Sequence, residues 1–148
     1  MNDPSIDTNF GKLHARNVAA LTRHLLECRR AFDGDLDLFL VLTIIGERTF
    51  PARNAPDQMS HDAFLHGVVG DVVPAAINQQ SITDYSDIPR ETVRRKLEIL
   101  IAKGWVQRDS RRLLTATDKA NHDLFALTES TRRYWRELQA SLGSANTD

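Results

Sequence analysis

The stretch that decides the fold lies in the second half of the chain and reads Ser81-Ile82-Thr83-Asp84-Tyr85-Ser86-Asp87-Ile88-Pro89-Arg90-Glu91-Thr92-Val93-Arg94-Arg95-Lys96-Leu97. Ser81 is a good N-cap for a short helix over residues 82–85, and the next three residues predict a tight turn. Pro89 suits the first position of a second helix, where its missing N–H costs nothing. That helix is predicted to end at Lys103, because Gly104 suits the left-handed position that follows a helix.

The residues after this second helix predict a β-hairpin. Trp105 to Arg108 has the pattern of a strand, residues 109–111 form a turn, and Arg112 to Ala116 forms a returning strand. Trp105 is predicted to anchor the foot of the hairpin in the core. A short helix, a tight turn, a longer helix and a two-stranded hairpin, in that order, predict a winged helix-turn-helix in a mainly α chain.

The second helix of such a motif lies in the major groove of duplex DNA and presents side chains to base edges. The helix over about residues 89–103 would offer Pro89, Arg90, Glu91, Thr92, Arg94 and Arg95 there. Arginine can bond bidentately to guanine, threonine can contact a thymine methyl group, and glutamate can accept a hydrogen bond from cytosine. The wing, over about residues 105–116, would reach phosphates or the minor groove with Arg108, Arg111 and Arg112. Ser81 and Thr83 are placed to bond backbone phosphates.

The same cations also have a purely structural interpretation. Arg94, Arg95 and Lys96 could form an ordinary solvated helix face, and Arg111 and Arg112 could be ordinary surface residues of a turn. The flanking turn and hairpin favour contact with DNA.

Charge is distributed unevenly along the chain. Residues 78–114 carry eight Lys or Arg against five Asp or Glu, whereas the whole chain of 148 residues has a net charge of −1. Opposite signs in separate regions fit a DNA-binding module on an acidic scaffold, because phosphates attract the basic region and repel the rest. A chance fluctuation of three charges is the alternative.

Part of the chain resembles the DNA-binding half of bacterial winged-helix regulators of the MarR and GntR type. The resemblance lies in the stretch from Ser81 to Leu97, followed by Leu100 and Gly104-Trp105-Val106. The close resemblance covers about a quarter of the chain. It implies a homodimer whose terminal helices pair, a pseudo-palindromic DNA site and control of transcription. The chain departs from the pattern at Asp87, where many such turns carry glycine, and at Thr83, where alanine is common.

Two long helices with apolar seams are predicted at the ends of the chain. The first spans about residues 11–32 and the second about residues 118–142, and in both the apolar residues recur at steps of three and four. Such seams favour a subunit interface, and packing on the chain's own core is the alternative. The predicted dimerisation residues are Val18, Leu21, Leu25, Phe32, Leu124, Leu127, Tyr134 and Leu138.

The predicted organisation is a flexible N-terminus at 1–10, a single domain at 11–142 with its DNA-binding core at about 75–116, and a flexible tail at 143–148. Asp35 is a plausible N-cap of an apolar helix over about residues 36–50, which is expected to be central to the core. Residues 60–78 predict one or two short helices, the first capped by Ser60. A pocket between these two regions could hold a small-molecule effector.

Other classes of function find little support. There is no apolar run of about 18 residues and no signal peptide, so we expect a cytoplasmic protein without a membrane partner. Cys28 is expected to be a small core residue. His61, Asp62 and His66 could bind a metal only if a loop brought them together, and no catalytic motif is present, so we expect no enzyme, metal or cofactor. The rival to DNA binding is a winged-helix protein-interaction module, which the net acidity and the two glutamates of the second helix support.

Overall fold

The computed structural model describes residues 4–50, 55–65 and 75–144. It is 72% helical with one two-stranded antiparallel sheet, which confirms a mainly α chain with a small hairpin. The predicted domain over residues 11–142 is divided between two compact units. The terminal unit contains α1 (Pro4–Thr8), α2 (Phe10–Ala31) and α8 (Phe125–Ser144). The central unit contains α3 (Leu36–Thr49), α4 (His61–Leu65), α5 (Gln79–Ser86), α6 (Arg90–Ala102), β1 (Val106–Arg108), β2 (Leu114–Ala116) and α7 (Asp118–Asp123).

The terminal unit is built on the antiparallel packing of α2 against α8. The hydroxyl of Tyr134 donates to Oδ1 of Asn17 at 2.6 Å, and Nδ1 of His24 lies 2.9 Å from the hydroxyl of the buried Ser130. The rings of His24 and Tyr134 stack with centroids 5.7 Å apart. Burial lowers the pKa of His24 and outweighs the negative charge of Glu27, which raises it. The neutral ring is therefore favoured in this partly polar contact between the two helices.

Both of the terminal segments predicted to be flexible contain helical residues. The N-terminal segment at 1–10 contains helix α1, and α2 begins at Phe10. At the other end α8 continues through Gly143 to Ser144, and residues 145–148 of the predicted tail lie outside the described residues. The long C-terminal helix is also interrupted at Leu124, where α7 ends with φ −98° and ψ 20°, so that α8 starts afresh in the terminal unit.

Helix α3 confirms the prediction of a central apolar helix. Oδ1 of Asp35 caps it by accepting a hydrogen bond from the backbone N–H of Leu38 at 2.9 Å. Val41 and Ile45 are fully buried on its inner face. The hydroxyl of Ser60 likewise accepts a hydrogen bond from the N–H of Ala63 at the start of α4, as predicted. Of the segment 60–78, for which one or two short helices are predicted, residues 66–74 lie outside the described residues.

Helix α5 starts earlier than the sequence predicts. Its N-cap is Asn78, whose Oδ1 accepts a hydrogen bond from the N–H of Ser81 at 2.8 Å, so Ser81 lies inside the first turn and does not cap it. Asparagine caps helices as well as serine does, and the extended backbone at Asn78 gives it the cap geometry. The backbone at Ile77 explains that extension, because it exchanges hydrogen bonds of 3.1 and 2.8 Å with Leu114 on β2.

The turn between α5 and α6 depends on a left-handed residue at Asp87. Its φ of 57° and ψ of 11° end α5, and its N–H donates to the carbonyl of Thr83. Aspartate tolerates this conformation better than most residues, so it can stand where glycine is usual. Pro89 then occupies the N-cap of α6, one position before its predicted place.

On the inner face of helix α6, Val93, Leu97 and Leu100 are fully buried and Ile101 is half-buried. Gly104 has φ 75° and ends the helix as predicted, with its N–H bonded to the carbonyl of Ile101. The N–H of Trp105 bonds in turn to the carbonyl of Leu100, which completes a Schellman motif. Trp105 is 7% exposed and donates from Nε1 to Asp123 at 2.8 Å, so its role as a core anchor is confirmed.

The hairpin pairs Val106 with Ala116 and Arg108 with Leu114. Arg112, predicted to begin the returning strand, lies instead in the turn with φ 64°. The reason is Asp109, whose Oδ1 accepts hydrogen bonds from the N–H groups of Arg111 and Leu113 at 2.8 and 2.9 Å and closes a longer loop.

Candidate nucleic-acid interface

One side of α6 is exposed along the helix. Its members, Arg90, Glu91, Arg94, Arg95 and Glu98, are all exposed and are spaced by one and three residues, so they share one face. We call these five residues the outer face of α6. Pro89 is exposed at the N-terminal end of this face, and Thr92 is half-buried at its edge. The structure therefore leaves most of the predicted base-contacting positions uncovered within the chain.

The outer face of α6 is less cationic than its arginine content suggests. Arg94 donates to both carboxylate oxygens of Glu91 at 2.5 to 3.1 Å and also to Glu98. Hydrogen bonding to Glu91, with the charges of Glu91 and Glu98, raises the pKa of Arg94, and Arg94 in turn lowers the pKa of Glu91. Lys96 is turned away from this face and bonds Asp35 at 2.6 Å.

Four arginines converge on a cleft beside the outer face. We call it the four-arginine cleft: it is lined by Arg90 at the start of α6, by Arg108, Arg111 and Arg112 of the hairpin, and by Asn78, Gln79 and Gln80 at the start of α5. Its volume is about 230 Å³, and none of the described residues that line it is acidic. Within the described parts of the chain, no ion pair neutralises any of the four arginines. The sequence predicted all four as DNA contacts, and the tertiary structure brings them together.

The N-terminal turn of α5 also lines this cleft. The first N–H groups of a helix have no partner within it and carry partial positive charge, which favours an anion. Gln79 also donates from Nε2 to the carbonyl of Arg90 at 3.4 Å and thereby ties α5 to the start of α6. We did not single out Asn78, Gln79 or Gln80 in the sequence. The signal that could have found them is Asn78 as an alternative N-cap three residues before Ser81.

The two predicted phosphate contacts on α5 differ in their placement. Ser81 is half-buried, one residue beyond those that line the cleft. The hydroxyl oxygen of Thr83 is buried and forms no hydrogen bond with any residue that the structure describes. Thr83 therefore does not present its hydroxyl to a phosphate at the surface, because it faces inward from α5.

The predicted dimerisation residues separate into buried and exposed ones. Phe32 is 2% exposed, and Tyr134 uses its hydroxyl on Asn17 within the chain, so neither is a free apolar surface. By contrast, Val18 and Leu25 remain 48% and 43% exposed. Half-buried positions are Leu21, Leu124, Leu127 and Leu138.

The terminal unit has a charged side and an apolar side. Arg16, Arg23 and Glu27 of α2 line grooves together with Arg133 and Glu137 of α8 on the charged side. Helical spacing turns a second stripe of each helix to the other side. We call it the apolar side face, and it consists of Val18, Leu21 and Leu25 of α2 with Trp135, Leu138 and Leu142 of α8.

Trp135 and Leu142 were not predicted as interface residues, although they are 60% and 44% exposed. The signal was present in the sequence, because Trp135, Leu138 and Leu142 are spaced by three and four residues and form a stripe next to the predicted seam.

Comparison with known proteins finds no match: no family model, no curated protein and no solved structure resembles the chain significantly. None of the helices in the described segments is long and apolar enough to cross a membrane. The described residues also contain no group of three or more histidine, cysteine, aspartate or glutamate side chains able to hold a metal ion. His66 of the weak metal hypothesis lies outside them.

Proposed function

We propose that the chain is a sequence-specific, DNA-binding transcriptional regulator that acts as a homodimer. The observation that carries this proposal is the four-arginine cleft beside the exposed outer face of α6. Four guanidinium groups that form no ion pair with any described residue suit a strand of phosphates, and arginine binds phosphate bidentately. The helix next to the cleft offers Arg95 and Glu91 to base edges.

The order of elements in the central unit supports a winged helix-turn-helix. Helix α3, the bridge at Ile77, helices α5 and α6, and the β1–β2 hairpin follow one another as that fold requires. In this proposal α6 enters the major groove, the hairpin is the wing, and the backbone phosphates cross the four-arginine cleft. The resemblance of residues 81–106 to MarR- and GntR-type regulators points the same way.

The apolar side face of the terminal unit supports a second copy of the chain as partner. Trp135, Val18 and Leu25 leave large apolar areas in contact with water, and a two-fold related copy would bury the same stripe on both subunits. Two-fold symmetry would then place two recognition helices on half-sites about 34 Å apart.

DNA binding is tested by gel shift with genomic fragments at low and moderate salt. We expect a sequence-preferring complex that weakens steeply as salt rises. Arg95→Ala should cost roughly 1–3 kcal/mol on the preferred fragment if Arg95 contacts a base. Arg136→Ala, an exposed arginine of α8, is the matched control. A variant that binds every fragment as well as the parent would remove Arg95 from base recognition.

The dimer is tested with a pair of neighbouring leucines. Leu25 on the apolar side face and Leu26 on the charged side are 43% and 45% exposed, so the substitutions Leu25→Glu and Leu26→Glu are matched in chemistry and exposure. We expect Leu25→Glu to run as a monomer in sedimentation and Leu26→Glu to remain a dimer, because only Leu25→Glu buries a charge in the interface. Equal masses for the two variants would contradict the assignment of this face.

The alternative function is a winged-helix protein-interaction module without DNA binding. The observation that favours it is the exposure of two large side chains, Tyr85 of α5 and Ile99 of α6, at 63% and 40%, together with the pairing of Arg94 within the chain. If no fragment gives a sequence-preferring complex at either salt concentration, this alternative is preferred.

A small-molecule effector also remains part of the proposal, and its expected pocket falls partly on residues 66–74, outside the described residues.

A further inference from the structure

The outer face of α6 contains an ion-pair arrangement that the proposed function does not itself require. Glu91, Arg94 and Glu98 form what we call the Arg94 clamp, in which one guanidinium is held by two carboxylates. The three side chains are 65%, 45% and 60% exposed. Exposed ion pairs within one helix contribute little to stability, so the clamp is a weak candidate for a stabilising device.

The position of the clamp decides its effect on DNA. It lies in the middle of the outer face, between Arg90 and the C-terminal end of α6, and it carries two negative charges against one positive charge. A phosphate that approaches this point meets a guanidinium whose charge is already paired and two carboxylates that repel it. The described lining of the four-arginine cleft beside it contains no acidic side chain, so the cleft suits a phosphate of any DNA sequence.

We infer that the Arg94 clamp discriminates against non-target DNA. On such DNA, Arg94 stays bound to Glu91 and Glu98, and only the cleft and Arg95 contribute attraction. On a target, the O6 and N7 acceptors of a guanine replace the carboxylates on Arg94, and the released Glu91 accepts a hydrogen bond from the N4 amino group of a cytosine. The target class is therefore a duplex with G·C pairs facing the centre of α6, an inference that rests on the proposed function.

The test compares a random-sequence duplex with the preferred genomic fragment by fluorescence anisotropy over a salt series. Glu91→Gln combined with Glu98→Gln frees Arg94 for one phosphate. One extra phosphate contact steepens the slope of log affinity against log salt by about 0.9, which is about an eightfold gain at roughly 0.1 M salt. We therefore expect the double variant to bind the random duplex about eightfold more tightly and to lose preference for the target. Glu47→Gln, at an exposed glutamate of α3, is the control and gives the effect of removing one negative charge away from α6.

Arg94→Ala, made both in the parent protein and in the double variant, tests whether Arg94 itself is responsible for these effects. In the parent protein it should weaken binding to the target more than binding to the random duplex, because it removes a base contact on the target and leaves the two carboxylates unpaired on both duplexes. In the double variant it should remove the eightfold gain. Unchanged random-duplex binding by the double variant, or an equal loss on the two duplexes for Arg94→Ala in the parent, would overturn the inference while leaving the regulator intact. Failure of the parent protein to bind either duplex at any salt concentration would overturn the proposed function and this inference together.

Discussion

The four-arginine cleft leads to a quantitative prediction for the variant that carries both Arg108→Ala and Arg111→Ala. Both side chains extend from the hairpin into the cleft, and the strand register and turn are held by backbone groups and by Asp109. Each phosphate contact contributes about 0.9 to the steepness of log affinity plotted against log salt concentration. The loss of two contacts should therefore make that plot shallower by about 1.8. At roughly 0.1 M salt the same two contacts correspond to about a 60-fold loss of affinity, or about 2.5 kcal/mol.

The assay is fluorescence anisotropy of a labelled duplex titrated with protein over a series of salt concentrations. Arg48→Ala, which removes an exposed arginine of α3, is the control for net charge and should change the slope little. Thermal unfolding of each variant shows whether the hairpin substitutions disturb the fold. The reasoning is refuted if the double variant keeps the parent's slope, or if its loss of affinity equals that of Arg48→Ala.

Three further predictions concern the supporting structure, and urea unfolding measures each of them. Asp87→Gly should change stability by less than about 1 kcal/mol, whereas Asp87→Val should lower it by roughly 1–2 kcal/mol, because the backbone there is left-handed; equal losses for both would contradict this explanation of the turn. Gly104→Ala should cost roughly 1–2 kcal/mol, since φ is 75° and the added Cβ would lie 3.0 Å from Cδ of Lys119; a neutral result would mean that the chain relaxes there. Asp35→Asn keeps a helix cap but loses the ion pair with Lys96. Burial raises the pKa of Asp35, but hydrogen bonds from Lys96 and from the N–H of Leu38 outweigh it and hold the pKa below its ordinary 3.8. The parent should therefore be the more stable protein above that pH, and the difference should vanish as pH falls through the lowered pKa; a difference that persists in acid would exclude the ion pair as its cause.

The local features of the central unit could be predicted because they depend on neighbouring residues. The buried face of α6 follows from the spacing of Val93, Leu97 and Leu100, and the end of the helix follows from the backbone freedom of Gly104. The start of α5 was placed wrongly because two good caps, Asn78 and Ser81, stand three residues apart. The choice between them depends on the hydrogen bonds that hold Ile77 to β2, which are distant in sequence.

The ion pairs of the Arg94 clamp could have been predicted from the sequence. Glu91 and Glu98 stand three residues before and four after Arg94, which are the spacings at which helical side chains pair. From the sequence, Glu91 is predicted as a base contact, and both glutamates support the protein-interaction alternative. Which rotamers bring all three side chains together is a property of the folded surface.

For this protein, residue order alone determined the succession of α5, α6 and the hairpin, the inward stripe of α6 and the left-handed glycine that ends it, because periodicity and backbone angles are short-range properties. Only the tertiary structure decided that Arg90 and the hairpin arginines share one cleft with the start of α5. It alone also decided that Phe32 is buried while Trp135 faces water. Convergence of side chains from separate elements depends on how those elements pack, and that is set by contacts between residues far apart along the chain.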